Sequence, residues 1–131
     1  MTFRKNSTFK SKVGQIGENI ACEYLKKKGY KIIDKNVWEK WGEIDVLARA
    51  KDKTLVFVEV KTLSGFSSDG FQPEDNMTAG KRRRFERAAS LYAGSHENLI
   101  NNDKGWRLDV VAIVLVGEGR DSHIIRHYEN V

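Results

Sequence analysis

An α/β fold, five strands and two helices in the order α-β-β-β-α-β-β, is predicted by three features of the chain. Two segments repeat apolar residues at helical spacing. Two neighbouring segments alternate as strands do and are joined by the short charged turn Lys51-Asp52-Lys53. The length, 131 residues of which 40% are hydrophobic, is enough for residues 1–131 to form one domain with a core that needs no staples.

Residues 1–10 are polar and basic and are expected to be loosely ordered. Ser11 has the hydroxyl of a helix N-cap, and Val13, Ile16, Ile20, Ala21, Tyr24 and Leu25 then recur at helical spacing until Gly29 ends the segment. The apolar stripe centres between Ile20 and Tyr24, which leaves Glu18 on its flank, within reach of a sheet edge. Tyr30 to Trp38 has a weak strand pattern around Ile32 and Ile33. With the hairpin Glu43 to Ala50 and Thr54 to Lys61 it makes a three-stranded meander.

Thr62 to Met77 is a long irregular stretch rich in Ser, Gly and Asp, of the kind that is functional or disordered. Thr78 can cap a second helix to about Tyr92, stopped at Gly94, with Lys81, Phe85, Ala88, Ala89 and Tyr92 facing inward and Arg82, Arg83, Arg84 and Arg87 outward. Ser95 to Lys104 reads as a polar loop. Trp106 to Val116 and Ser122 to Tyr128 are the last two strands.

A net charge of +5 and a pI near 9.4 favour a polyanionic partner. The single cysteine, Cys22, excludes a disulfide framework and reads as a small helical core residue. No apolar run has the length of a signal peptide or a membrane span, so the expectation is a cytoplasmic protein without membrane contact.

Chemistry is concentrated in the hairpin. A turn centred on Asp52 pairs residues equidistant from it, which sets Asp45 opposite Glu59 and Glu43 opposite Lys61. Ile44, Val46 and Ala48 then share a face with Val56, Val58 and Val60, the expected core face, while the acids and Lys61 cluster at the far end of the other. Two cross-strand carboxylates can hold one hard cation between them; without it they repel. The plain alternative is a surface ladder of salt bridges. Asp45 and Glu59, with the Val60 carbonyl and Glu18 from the helix, are the candidate ligands of Mg²⁺ or Mn²⁺. Lys61 is the candidate for orienting water or stabilising transition-state charge. No Walker loop, zinc spacing or nucleophile elbow competes. His96, His123 and His127 stand apart in sequence and read as surface or interface residues.

Gly17-Glu18 with Ala21, Tyr24-Leu25, Gly29-Tyr30, Asn36, Gly42-Glu43-Ile44-Asp45, Phe57-Val58-Glu59-Val60-Lys61, Lys81 and Leu108-Asp109-Val110-Val111 together resemble the YraN-like family of uncharacterised bacterial proteins. That family is related to archaeal Holliday-junction resolvases in the PD-(D/E)xK nuclease superfamily. The resemblance implies a restriction-endonuclease-like fold, a mixed central sheet flanked by helices, with Glu18, Asp45, Glu59 and Lys61 as its catalytic core. Where relatives carry an arginine after the lysine, this chain has Thr62 and Leu63.

The expected function is metal-dependent cleavage of DNA, branched or otherwise structured, with Lys81, Arg82, Arg83, Arg84 and Arg87 as the nucleic-acid-binding residues. A homodimer is compatible with this reading. Two other classes remain open: a non-catalytic nucleic-acid-binding adaptor in recombination or repair that keeps the fold, and a structural interaction protein, which would leave the charged cluster without a role.

Overall fold

The computed structural model describes residues 11–40, 42–64, 78–116 and 122–131; the expectations for residues 1–10, and for 65–77 within the long loop, lie outside them. The elements follow the predicted order: α1 (Lys12–Lys27), β1 (Lys31–Glu39), β2 (Gly42–Arg49), β3 (Leu55–Ser64), α2 (Ala79–Ser95), β4 (Trp106–Val116) and β5 (Ser122–Tyr128). They build one five-stranded sheet in the spatial order β1-β2-β3-β4-β5. All neighbours are antiparallel except β3 and β4, which run parallel because α2 carries the chain back between them.

Both faces of the sheet are buried, each under one helix. Ala21, Cys22 and Leu25 of α1 pack on Val46, Ala48, Val56, Val58, Val111 and Ile113. Phe85, Ala88, Ala89 and Tyr92 of α2 pack on Ile44, Leu47, Leu55, Phe57 and Leu108. Phe57, fully buried, stands edge-on to both Tyr92 and Trp106. The hairpin register is the expected one from Arg49↔Leu55 to Val46↔Val58, each pair equidistant from Asp52, but the ladder ends there, so the expected pairings of Asp45 with Glu59 and of Glu43 with Lys61 lie beyond it and are not made as ladder pairs.

Several expectations need correction. Ile44 does not share a face with Val46 and Ala48 but joins the cluster under α2, because strand alternation breaks at Asp45. β3 continues past Lys61 to Ser64, since Thr62, Leu63 and Ser64 still find partners on β4. Gly94 does not stop α2, which runs on to Ser95 and is capped at His96. Lys81 is exposed; the first turn of α2 overhangs the sheet, and Phe85 is its first residue to reach the core. The stretch Ser95 to Lys104 is also more ordered than a loop, with a 3-10 turn at Glu97–Leu99 and a bridge between Asn101 and Gly105.

A buried polar network fastens the end of the chain to β4. Asp109 is fully buried, and its Oδ2 pairs with His127 Nε2 at 2.7 Å. Arg107 Nε and the Asn130 N–H each donate to Asp109 Oδ1 at 3.0 Å. The other imidazole nitrogen of His127 pairs with the Tyr24 hydroxyl of α1 at 3.0 Å, and Arg107 reaches Tyr30 and Glu129. Burial alone would raise the Asp109 carboxyl. The hydrogen bonds from His127, Arg107 and Asn130 outweigh it and hold the group below the ordinary aspartate range. His127 is therefore a buried hub and not a surface residue; its partners are remote in sequence, so spacing could not reveal them. His96 is half-buried and stacks on Tyr92, with ring centroids 3.8 Å apart, whereas His123 is exposed as expected.

A carboxyl held low in the fold contributes stability that is present above the unfolded-state value, about 3.9, and lost as the pH falls through the lower folded value. Asp109→Asn, which leaves Arg107 without its buried partner, should cost on the order of 3 kcal/mol at pH 7. Thermal melts from pH 7 down to pH 3 should show the gap between wild type and variant closing as the acid limit is approached. A gap independent of pH would assign the loss to packing alone.

Candidate metal centre

Glu18 is delivered to the sheet by the close seating of α1. Ser11 caps the helix, its Oγ accepting from the Gly14 N–H at 3.0 Å. One turn later Gly17 lies against β3 so tightly that a methyl group there would overlap the Thr62 side chain. This contact places Glu18 within the buried stripe and not on its flank; it is only 4% exposed. The contact gives Thr62 a packing role against α1.

Asp45 is positioned by a paired break in alternation. In β1, Asp34 and Val37 both face α2 although an odd spacing separates them, and in β2 the same holds for Ile44 and Leu47. The residues between the flanking rungs Lys35↔Val46 and Val37↔Ile44 are Asn36 and Asp45, which stand across from each other. Asn36 has the left-handed φ of 52°, which asparagine tolerates better than most residues. Its Nδ2 donates to Glu18 Oε1 at 2.9 Å.

The β2–β3 ladder ends at Val46↔Val58, so Asp45 and Glu59 stand one step beyond it, where the two strands part. Asp45 Oδ2 bridges the gap by accepting the Val60 N–H at 2.8 Å. Because N–H and C=O of one strand residue point the same way, the Val60 carbonyl is directed into the same gap. The Glu59 carboxyl is within hydrogen-bond reach of Asp45, and its Oε1 lies 3.2 Å from Lys61 Nζ. Burial first, then the Asp45 carboxylate, push the Glu59 carboxyl up to about 8, against the opposing pull of Lys61.

Glu18, Asp45, Glu59 and Val60 line one cavity of about 250 Å³, together with Ser11, Val13, Gly14 and Thr62. The sequence-predicted acids are thus brought together, with Lys61 held at their edge by Glu59. Among the described residues no three His, Cys, Asp or Glu side chains close around a single point. The donor set suits Mg²⁺ or Mn²⁺ in the open manner of such ions, two carboxylates and a main-chain oxygen with water completing the shell. It does not suit a structural zinc, which needs four closed ligands. A larger cleft of about 460 Å³ between α1 and β5, lined by Ile20, Tyr24, His123 and Ile125, has no converging acids and is remote from this chemistry.

The basic residues of α2 stay outside the cavity. Lys81, Arg82, Arg83, Arg84 and Arg87 are all exposed, and Arg82 pairs with Glu86 at 3.5 Å. The spacing-based reading did not recognise the role of Asn36, which ties Glu18 in place, or that of Ser11, Gly14 and Thr62, which wall the cavity. An asparagine in a strand next to charged residues was the available signal for the first; nothing local marks the others.

An acid raised in the fold binds its proton more tightly there, so stability is greatest near or below the ordinary glutamate value, about 4.3, and declines as pH rises. In chelator, the melting temperature should fall between pH 5 and the Glu59 value of about 8, by at most about 1.4 kcal/mol of stability per pH unit. Glu59→Gln should flatten this decline. An equal slope in both proteins would remove Glu59 from the titrating pair.

The model of the uncharacterised protein family UPF0102 matches residues 17–113, a span that holds Glu18, Asn36, Asp45, Glu59, Lys61 and Asp109. A UPF0102 protein of Corynebacterium efficiens is 35% identical over 125 residues, covering 95% of this chain and 94% of its own length. Relatives in Fervidobacterium nodosum, at 34% identity over 96% of this chain, and Pelobacter propionicus, at 40% over 88%, cover 86% and 81% of their own lengths. The motifs, the span matched and these relatives agree, and the chain belongs to the UPF0102 family.

Proposed function

We propose that this protein is a metal-dependent endonuclease of restriction-endonuclease-like architecture that hydrolyses phosphodiester bonds in DNA, with branched or otherwise structured DNA as its substrate and the cytoplasm as its location. The observation that carries the reading is the convergence of Glu18, Asp45 and Glu59 on one small cavity with the Lys61 ammonium 3.2 Å from Glu59. The Asp45 and Glu59 carboxylates oppose each other's charge, and a cation between them would relieve that repulsion. Mg²⁺ or Mn²⁺ held there would supply Lewis-acid stabilisation of phosphate charge and a more acidic water.

The chain's own groups have separable parts to play. Asp45, anchored by the Val60 N–H, and Glu59 would hold the cation, with the Val60 carbonyl available as a third oxygen and Glu18 bounding the site from the helix side. Lys61, tethered by Glu59, offers a fixed positive charge to developing phosphate charge or orients the attacking water. Arg83, Arg84 and Arg87, with Lys81 and Arg82 nearby, provide backbone-phosphate attraction without sequence readout. The lack of a closed three-ligand group among the described residues favours a second reading, an adaptor that binds nucleic acid without cutting it.

Purified protein incubated with branched, flapped and linear DNA should cut in Mg²⁺ or Mn²⁺ and not in chelator. Asp45→Ala should abolish cutting while leaving binding, and Lys61→Ala should lower turnover at saturating DNA by roughly 10²-fold or more. Binding without cutting on every substrate would select the adaptor, and full activity in Asp45→Ala would refute the site.

The arginine-bearing helix is tested separately by salt titration of DNA affinity. If Arg83 or Arg84 neutralises one backbone phosphate, its replacement by Ala should flatten the log–log salt dependence by about 0.9 on duplex DNA. An unchanged slope would mean that DNA approaches another face.

A further inference from the structure

Asn36 joins the broken level of the sheet to the helix side of the cavity. It sits in a left-handed conformation inside β1, across from Asp45, and gives its amide to Glu18 Oε1 at 2.9 Å. Glu18 is buried and lines the cavity. A second tie, Lys35 Nζ to Asn19 Oδ1 at 3.3 Å, fastens the same stretch of β1 to the same turn of α1. The two ties differ in exposure: the lysine contact lies at the surface, whereas the Asn36 amide reaches the buried acid.

We propose that Asn36 is the positioning residue of the cation site, fixing the Glu18 carboxylate against the cavity shared with Asp45 and Glu59. This rests on the metal-dependent reading above. A neutral donor suits the task, since it fixes one carboxylate oxygen without cancelling the charge that attracts a cation, as a lysine or arginine in the same place would. Partners of this kind, one step removed from the ion, change metal affinity by about 10- to 100-fold when replaced. The alternative is that Asn36 is present only because the kinked strand needs a residue tolerant of positive φ. Glycine would serve that purpose equally well.

The experiment is calorimetric titration of Mn²⁺ into the metal-free protein without DNA, beside thermal melts in chelator. Wild type should bind, and Glu18→Gln and Asn36→Gly should each weaken binding about tenfold. Asn36→Gly should melt within a few degrees of wild type, and the double variant should bind no more weakly than Glu18→Gln alone, because the two residues act as one unit. Asn36→Ser, whose hydroxyl is too short to reach Glu18, should repeat the loss and so guard against a folding defect peculiar to glycine. Wild-type affinity in both Asn36 variants with a weakened Glu18→Gln would overturn the positioning role and leave the metal-dependent reading standing. Fully additive effects would overturn it too. Failure of the wild-type protein to bind Mn²⁺ would overturn both.

Discussion

A helix can approach a sheet only as closely as the side chains between them permit, and in this protein that distance is set at Gly17. With no Cβ on the helix at that point, Thr62 of β3 fills the space a methyl group would need. The neighbouring Ala21, fully buried, keeps the spacing small for another turn. Glu18 is carried down with the helix backbone and arrives at the level of Asp45 and Glu59. A larger residue at position 17 would lift α1 from β3 and with it the acid, the Asn36 tie and one wall of the cavity.

The protein handles the acids Asp109, fully buried, and Glu59, half-buried, in two opposite ways. Asp109 is surrounded by donors, from Arg107, His127 and the Asn130 main chain, and is held ionised. Glu59 faces another carboxylate, has Lys61 as its counter-charge, and is driven toward its protonated form. The first arrangement is complete as it stands and stabilises the chain end. The second is electrostatically poor by itself, an arrangement that clusters at functional sites.

Much of this was legible in the sequence because it depends on local spacing. The Asp52-centred turn determines the β2–β3 register, so the pairing of Val46 with Val58 and the nearness of Asp45 to Glu59 follow from counting along the chain. Ser11 and Thr78 announce their helices by their hydroxyls, and each does accept from the N–H three residues on, of Gly14 and Lys81. What was not legible depends on contacts between distant segments. Strict alternation assigned Ile44 to the wrong face, since the break at Asp45 is matched by one at Asn36 on another strand. Helical periodicity placed Glu18 on a flank because it ignores how small residues tilt a helix toward its support. His127 looked isolated because Asp109 and Tyr24 are separated from it by 18 and 103 positions.

The parallel seam between β3 and β4 has a consequence for how the chain is made. The described residues that line the acidic cavity lie between Ser11 and Thr62, in α1 with its cap and the meander that follows it. The partners across the seam come only after α2, so their pairing closes a far longer loop than any contact within the meander. During synthesis the segments that bear the acids leave the ribosome first and can associate through short-range contacts. The second half of the chain then arrives as a buttress. It closes the exposed flank of β3, completes both cores and fastens the chain end, and none of its described residues lines the cavity.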